Sequence, residues 1–315
     1  MSFTSNVKQE CATIELPPCC KRSQLAAFLK MCAELAIRSN QLHLVIKTEN
    51  PTTAKRILKL LKEQYQIESQ LSVMKKMQLH KNNIYVIRVI SHVKDILQDT
   101  TLYSDKGLMD LPSSALWKKD CCVRSYLAGA FMAGGSVNSP NKTDYHLEIS
   151  HNSKEHAELV MKLMNRFYLN AKVIQRRNQF VTYLKAAEKI SDFLNVIGAH
   201  QHLHEYEDVR IERDFMNSLK RLENMEVANE MKTQQAANQQ IEQIELIART
   251  RGLTFLNDKL EPVARLRLEH PEASLNELCD AYEQLYDEQI SKSGMKHRLA
   301  KIKEIADRIK EAETN

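Results

Sequence analysis

Within 315 residues, one eight-residue string occurs twice. Cys19-Cys20-Lys21-Arg22-Ser23-Gln24-Leu25-Ala26 returns 102 residues later as Cys121-Cys122-Val123-Arg124-Ser125-Tyr126-Leu127-Ala128, with six of eight positions identical. The match continues at nearly the same offset. Residues 53–65 (TAKRILKLLKEQY) align with 156–168 (HAELVMKLMNRFY), sharing an alanine, a Lys-Leu step and a final tyrosine. A period of about 20–50 residues would indicate a solenoid or propeller. A period near 100 gives each copy room for several elements, so the chain reads as two related subdomains.

Both copies present the same coarse order. A helix opens at the Cys-Cys pair, and a strand follows at 42–48 or 145–151. A second helix, 52–65 or 154–168, carries apolar residues three and four apart. Two alternating strands come next, about 67–76 with 83–91 and about 170–177 with 179–186. Lys81-Asn82-Asn83 and Arg177-Asn178 supply hairpin turns. Short helices near 92–98 and 187–196 close the copies. The unit is α-β-α-β-β-α, an α+β pattern, and two such units can pair about a pseudo-twofold axis.

The repeated helix carries a specific resemblance. Leu127-Ala128-Gly129-Ala130-Phe131-Met132-Ala133-Gly134-Gly135 resembles the LAGLIDADG helix of homing endonucleases, and residues 25–33 (LAAFLKMCA) are its degenerate partner. The resemblance implies two helices packed side by side. Ala26, Ala27, Ala128 and Gly129 are small enough for close backbone approach. It also implies an acid at the eighth position of each motif, holding the divalent metal that activates water. Those positions are Cys32 and Gly134. A neutral thiol is a poor ligand for a hard cation and glycine offers none. Glu34, two residues beyond Cys32, has no acidic partner at the matching place, which is Ser136. The expectation is a fold without nuclease chemistry, with no catalytic residues and no metal site. Basic residues on the hairpins, Lys75, Lys76, Lys81, Arg88, Lys172, Arg176 and Arg177, are either secondary DNA contacts or a solvated sheet face.

Composition narrows the remaining classes. Net charge of +5 is compatible with nucleic acid without requiring it. Only seven glycines occur, none in a GxGxxG or GxxxxGK[ST] string, so no nucleotide-phosphate cradle and no cofactor are expected. Residues 1–6 are polar and no apolar run approaches a membrane span, which predicts a cytoplasmic, nucleoid-associated chain. Seven cysteines, an odd number, predict reduced thiols. The Cys-Cys pairs sit at equivalent helix ends where they can approach one another, and read best as small buried residues. His200, His202 and His204 alternate, and read as chance spacing in a polar connector rather than a zinc site.

The C-terminal third is different. Residues 205–250 are polar and helical, and the Gln/Asn-rich stretch 234–243 has no strong core face. Beyond Gly252, Pro262 suits a helix start, and Ser274 with Glu277 forms a capping box. Ser291 or Ser293 caps a last helix reaching about Lys310. Met295, Leu299, Ile302, Ala306 and Ile309 form its apolar stripe. Residues 292–303 hold five Lys/Arg and no acid, while 272–290 hold six acids and no Lys/Arg. That segregation fits a recognition helix with its N-terminal residues toward base edges. The candidate DNA-contacting residues are Lys292, Ser293, Lys296, His297, Arg298 and Lys301. The other reading is a basic helix that docks an acidic partner.

Residues 266–275 (LRLEHPEASL) and 291–299 (SKSGMKHRL) resemble the bacterial WhiA family of sporulation and cell-division regulators. So do the two Cys-Cys-x-Arg-Ser strings, residues 133–137 (AGGSV), 197–200 (IGAH) and 208–211 (DVRI). The resemblance implies a duplicated LAGLIDADG-like α/β saddle domain followed by an all-α helix-turn-helix domain. The expected boundaries are 1–222 for the duplicated domain (copies about 19–110 and 121–205), 223–240 for a helical linker and 241–315 for the helix-turn-helix. The implied function is transcription regulation on double-stranded DNA, tied to cell division and chromosome segregation, with sporulation in some bacteria. Two alternatives stand beside it: a residual nuclease or RNA-processing factor, and an accessory protein acting through RNA polymerase or another regulator.

Overall fold

The computed structural model describes residues 2–38, 41–75 and 83–314, which form two compact units, Met1–Arg213 and Asp214–Asn315. The first unit opens with a helix that the polar start of the sequence does not advertise. In α1 (Phe3–Thr13), Phe3, Val7 and Cys11 recur every fourth residue and are buried, and the Ser2 hydroxyl caps the first turn. Next comes α2 (Pro18–Cys32), with proline in its first turn, where a missing N–H costs nothing.

Two strands follow, β1 (Ala33–Arg38) and β2 (Gln41–Thr48). Helix α3 (Pro51–Tyr65) is capped by the Asn50 side chain, which accepts from the Thr53 N–H. Strands β3 (Gln70–Lys75) and β4 (Asn83–Val89) precede α4 (Val93–Asp99) and a small hairpin, β5 (Tyr103–Ser104) with β6 (Gly107–Leu108). The second copy repeats this as α5 (Asp120–Gly134), β7 (Gly135–Val137), β8 (Leu147–His151), α6 (Lys154–Asn165), β9 (Lys172–Arg176), β10 (Gln179–Leu184) and α7 (Ala187–Val196).

The two antiparallel sheets share one topology, β1-β2-β4-β3 and β7-β8-β10-β9. Each copy therefore has one strand more than the α-β-α-β-β-α order read from the sequence. The reason is local. Cys32 ends α2 and Ala33 begins β1 with no turn between them, and Gly134 and Gly135 do the same in the second copy. Without turn residues there is no punctuation to read. The Arg177-Asn178 hairpin turn is present, with Arg176 opposite Gln179 and Arg177 at φ 52°. The Lys81-Asn82-Asn83 turn starts outside the described residues.

At the centre, α2 and α5 lie side by side. A Cβ on Gly129 would stand 2.7 Å from the Gln24 carbonyl oxygen and 2.9 Å from the Ala27 Cβ, so that crossing is closed to any larger residue without movement. Ser23 Oγ donates to the Cys122 carbonyl at 2.7 Å, and Thr53 Oγ1 donates to the Met132 carbonyl at 3.0 Å. Buried Arg56 donates to Gln24 Oε1 and to the carbonyls of Ala12 and Ile14, tying α1, α2 and α3 together.

Helix α8 spans His200–Thr250, so residues 223–240 lie within one continuous helix. The second unit packs the end of α8 with α9 (Glu261–Glu269), α10 (Leu275–Tyr286) and α11 (Lys292–Thr314). Its core holds Ile244, Ile247, Val263, Leu266, Leu278, Tyr282, Met295, Leu299, Ile302 and Ala306, with Ile309 packed against it. Ser274 and Glu277 form the capping box, and Ser291 Oγ accepts from the Gly294 N–H at the start of α11. Arg267 is buried, with Nη1 donating to the carbonyls of His270 and Ala273, which fixes the bend from α9 into α10.

Candidate nucleic-acid interface

The C-terminal module presents the most coherent surface. Burying Met295, Leu299, Ile302 and Ala306 turns the other side of α11 outward. Lys292, Ser293, Lys296, His297 and Lys301 are all exposed. Arg298 is different. It is half-buried, its Nη1 donates to the Tyr282 hydroxyl at 2.8 Å, its guanidinium lies 5.2 Å from the Tyr282 ring centre, and Nη2 lies 3.5 Å from Glu288. Its charge is used to hold α11 against α10. The six acids of residues 272–290 are exposed before, on and after α10, and Glu288 among them reaches Arg298 of α11.

On the duplicated unit, strand alternation and register divide the basic residues between two sheet faces. In the first sheet Arg88 shares the helix-free face with Lys47 and Glu34, because Val45 opposite Arg88 is also opposite Glu34. Lys75 pairs with Asn83, two steps along from Val73 opposite Tyr85, and so falls on the helix-side face near the hairpin. In the second sheet Lys172, Ile174 and Arg176 share the helix-free face with Glu148 and Ser150. Several of these charges already have partners. Arg176 lies 3.2 Å from Glu148, Lys47 lies 2.6 Å from Glu34, and Arg88 donates to Ser72 Oγ at 2.9 Å. Arg177 sits at the β9–β10 turn, and Lys76 and Lys81 lie outside the described residues.

The junction where the resemblance would place metal-binding acids is built differently. Cys32 and Gly134 are the last residues of α2 and α5 and line one cavity with Lys8 of α1. A Cβ on Gly134 would meet the Ser150 carbonyl oxygen at 2.8 Å and Met31 Cε at 2.6 Å, so a carboxylate has no room there. Burial pushes the Cys32 thiol up to about 12, keeping it neutral. Lys8 is only 8 % exposed, and its Nζ lies 5.8 Å from the Phe131 ring centre. Desolvation lowers it from 10.5 to about 8, opposed by the neighbouring Cys32 and Cys11. A lysine thus stands beside the site where active relatives of the fold would need a metal cation. Beside Gly134, His151 and His156 are buried and bonded to each other at 3.2 Å, and His156 Nε2 shares a 2.7 Å hydrogen bond with Tyr126. Desolvation lowers His151 to about 4 and His156 to about 3. Lys8 gave no signal in the sequence, since its burial depends on α1 packing against α3, α5 and β7.

His200, His202 and His204 lie in the first turn of α8, not on an extended segment. His202 Nδ1 is bonded to Glu10, whose carboxylate also accepts from the Gln201 and His202 N–H groups. The Cys-Cys pairs do meet: the Sγ atoms of Cys19, Cys20, Cys121 and Cys122 all lie within 4.8 Å of one another. Cys20 and Cys122 are buried, as read from the sequence, whereas Cys19 is half-buried and Cys121 exposed. Among the described residues no helix is long and apolar enough to cross a membrane.

Comparison with known proteins agrees along the whole chain. Residues 18–103 match the WhiA N-terminal LAGLIDADG-like domain, residues 123–216 the WhiA LAGLIDADG-like domain, and residues 219–306 the WhiA C-terminal HTH domain. A probable cell division protein WhiA of Bacillus licheniformis is 45% identical over 315 residues, covering 100% of this chain and 99% of the relative. One from a Geobacillus species is 47% identical over 312 residues, covering 98% and 97%. The crystal structure of full-length WhiA from Thermatoga maritima superposes with a TM-score of 0.60 at 27% identity, covering 98% of this chain and 99% of that one. With both repeats and the C-terminal module matched, and relatives this similar over their full length, the chain belongs to the WhiA family.

Proposed function

We propose that this protein is a non-enzymatic regulator of transcription that reads double-stranded DNA through α11 and acts in cell division and chromosome segregation. One observation carries the reading. The exposed face of α11 holds Lys292, Ser293, Lys296, His297 and Lys301, backed by a fully buried apolar stripe in a helix-turn-helix module. Lys296, His297 and Lys301 lie within the first turns, where a recognition helix meets base edges. Lys292 is placed for phosphate, and Arg298 positions the helix through Tyr282 and Glu288. The cell-division role is supported by the similar Bacillus and Geobacillus proteins, which are probable cell division proteins.

The test is a titration against a genomic target duplex and its scrambled version at two salt concentrations. A good bidentate base contact is worth about 1–3 kcal/mol of discrimination. Lys296→Ala with His297→Ala is expected to flatten the preference between the two duplexes while circular dichroism stays unchanged. Lys172→Ala with Arg176→Ala is expected to lower affinity slightly for both. If the α11 variant discriminates as well as wild type and the sheet variant does not, the duplicated unit is the reader.

A second reading has its own observation. The exposed acids of α10 offer a docking face for a basic protein surface, as on RNA polymerase. DNA binding that is absent from the pure protein and appears only when the partner is added would favour that version.

A further inference from the structure

Two cysteine pairs, 102 residues apart in sequence, converge where α2 and α5 begin. We propose that Cys19, Cys20, Cys121 and Cys122 form a four-thiolate site for one tetrahedral divalent ion of the zinc class, stapling the two repeats at their paired helix N-termini.

Geometry carries the assignment. A tetrahedral ion with metal–sulfur bonds of about 2.3 Å has its sulfurs about 3.8 Å apart. Here all four Sγ atoms already lie within 4.8 Å of one another, and Cys19 and Cys20 are 4.0 Å apart. The sulfurs need to draw together by about 1 Å at most, within the reach of small side-chain rotations. A cluster of several irons would hold its cysteine sulfurs farther apart than a single ion does. Soft thiolates and a closed tetrahedral set select zinc over magnesium or calcium.

The surroundings suit a structural ion. Cys20 is 2 % and Cys122 5 % exposed, while Cys19 is half-buried and Cys121 exposed, which leaves an entry path on one side. Neither Pro17 nor Lys119, the residues preceding the two helices, supplies a side-chain cap, and the four cysteines lie in the first turns of α2 and α5, near the positive helix ends. Lys119 adds a favourable charge near Cys19. On binding, each thiol releases its proton and four metal–sulfur bonds form. The resulting charge of −2 is offset by the helix ends and Lys119. No redox change is involved.

The experiment uses the full chain purified under reducing conditions without chelator. Metal content is measured by plasma mass spectrometry, and the apoprotein is then titrated with Zn²⁺ or Co²⁺. About one metal per chain is expected, with the d–d and thiolate charge-transfer bands of a tetrahedral four-sulfur Co²⁺ site. Cys20→Ser with Cys122→Ser is expected to leave less than about one tenth of an equivalent. Because those two are buried, Cys19→Ser with Cys121→Ser, on the open side, is made as well, and must lose metal while its circular dichroism is retained. Cys279→Ser is expected to bind as wild type. The site is refuted if reduced wild-type protein binds no metal on reconstitution. It is equally refuted if the Cys19/Cys121 variant keeps a full equivalent, or if the spectrum is that of a multi-iron cluster.

Discussion

Lys8 shows how one buried residue can shape both stability and chemistry. Its position beside Cys32 and Gly134 fills the motif junction with a cation on a protein stem. Its folded value of about 8 is below the 10.5 of the unfolded chain, so the unfolded chain binds more protons between those values. Charged Lys8 therefore costs stability below about pH 8, and the cost disappears as pH rises from about 8 to 10.5. Lys8→Met is expected to stabilise the protein by about 1–3 kcal/mol at neutral pH, and by much less at pH near 10. Urea unfolding of both proteins at the two pH values checks this. An equal difference at both would mean that Lys8 is solvated. Gly134 makes the companion case. Cys32→Asp with Gly134→Asp is expected to restore no Mg²⁺- or Mn²⁺-dependent nicking of plasmid DNA and to lower the melting temperature, since the second carboxylate collides with the Ser150 carbonyl. Reproducible metal-dependent nicking by that variant would show that the junction can be rebuilt.

Among the elements, the α2–α5 pair joins the two copies. Its close approach depends on Gly129, Ala27 and Ala128 being small. Gly129→Ala adds one carbon against the Gln24 carbonyl, and its gain in helix propensity is outweighed by overpacking of about 1–3 kcal/mol. Chemical denaturation should show the loss, and a stabilised variant would mean that the helices separate freely. Helix α11 is the second informative element. Its apolar stripe and its cap are visible in the sequence because helical spacing and Ser291 are local signals. The commitment of Arg298 to Tyr282 and Glu288 is not visible, because it needs α10 brought alongside.

For the whole molecule, the balance of charge bears on the DNA contact proposed for α11. The exposed side of α11's first turns is basic, whereas on the sheets Arg176 is paired with Glu148 and Lys47 with Glu34. Phosphate contacts release counterions, and each adds about 0.9 to the slope of log affinity against log salt. Lys292→Ala with Lys303→Ala is expected to lower that slope by up to about 2, and Lys172→Ala with Arg176→Ala by less than about 1. A larger change from the sheet pair would move the main phosphate track onto the duplicated unit.

By itself the sequence determined the duplication, the strands and helices with regular periodicity, the loss of acids at Cys32 and Gly134, and the segregated charge of residues 272–303. Each depends on neighbours within a few residues or on comparing the chain with itself. Only the tertiary structure decided the burial of Lys8 and the lack of room at Gly134. It alone sorted the hairpin cations by face, which takes strand register, and brought four cysteines from two repeats within 4.8 Å. The cysteine pairs are 102 residues apart, and their approach is fixed by how closely α2 and α5 pack, a quantity no local pattern encodes.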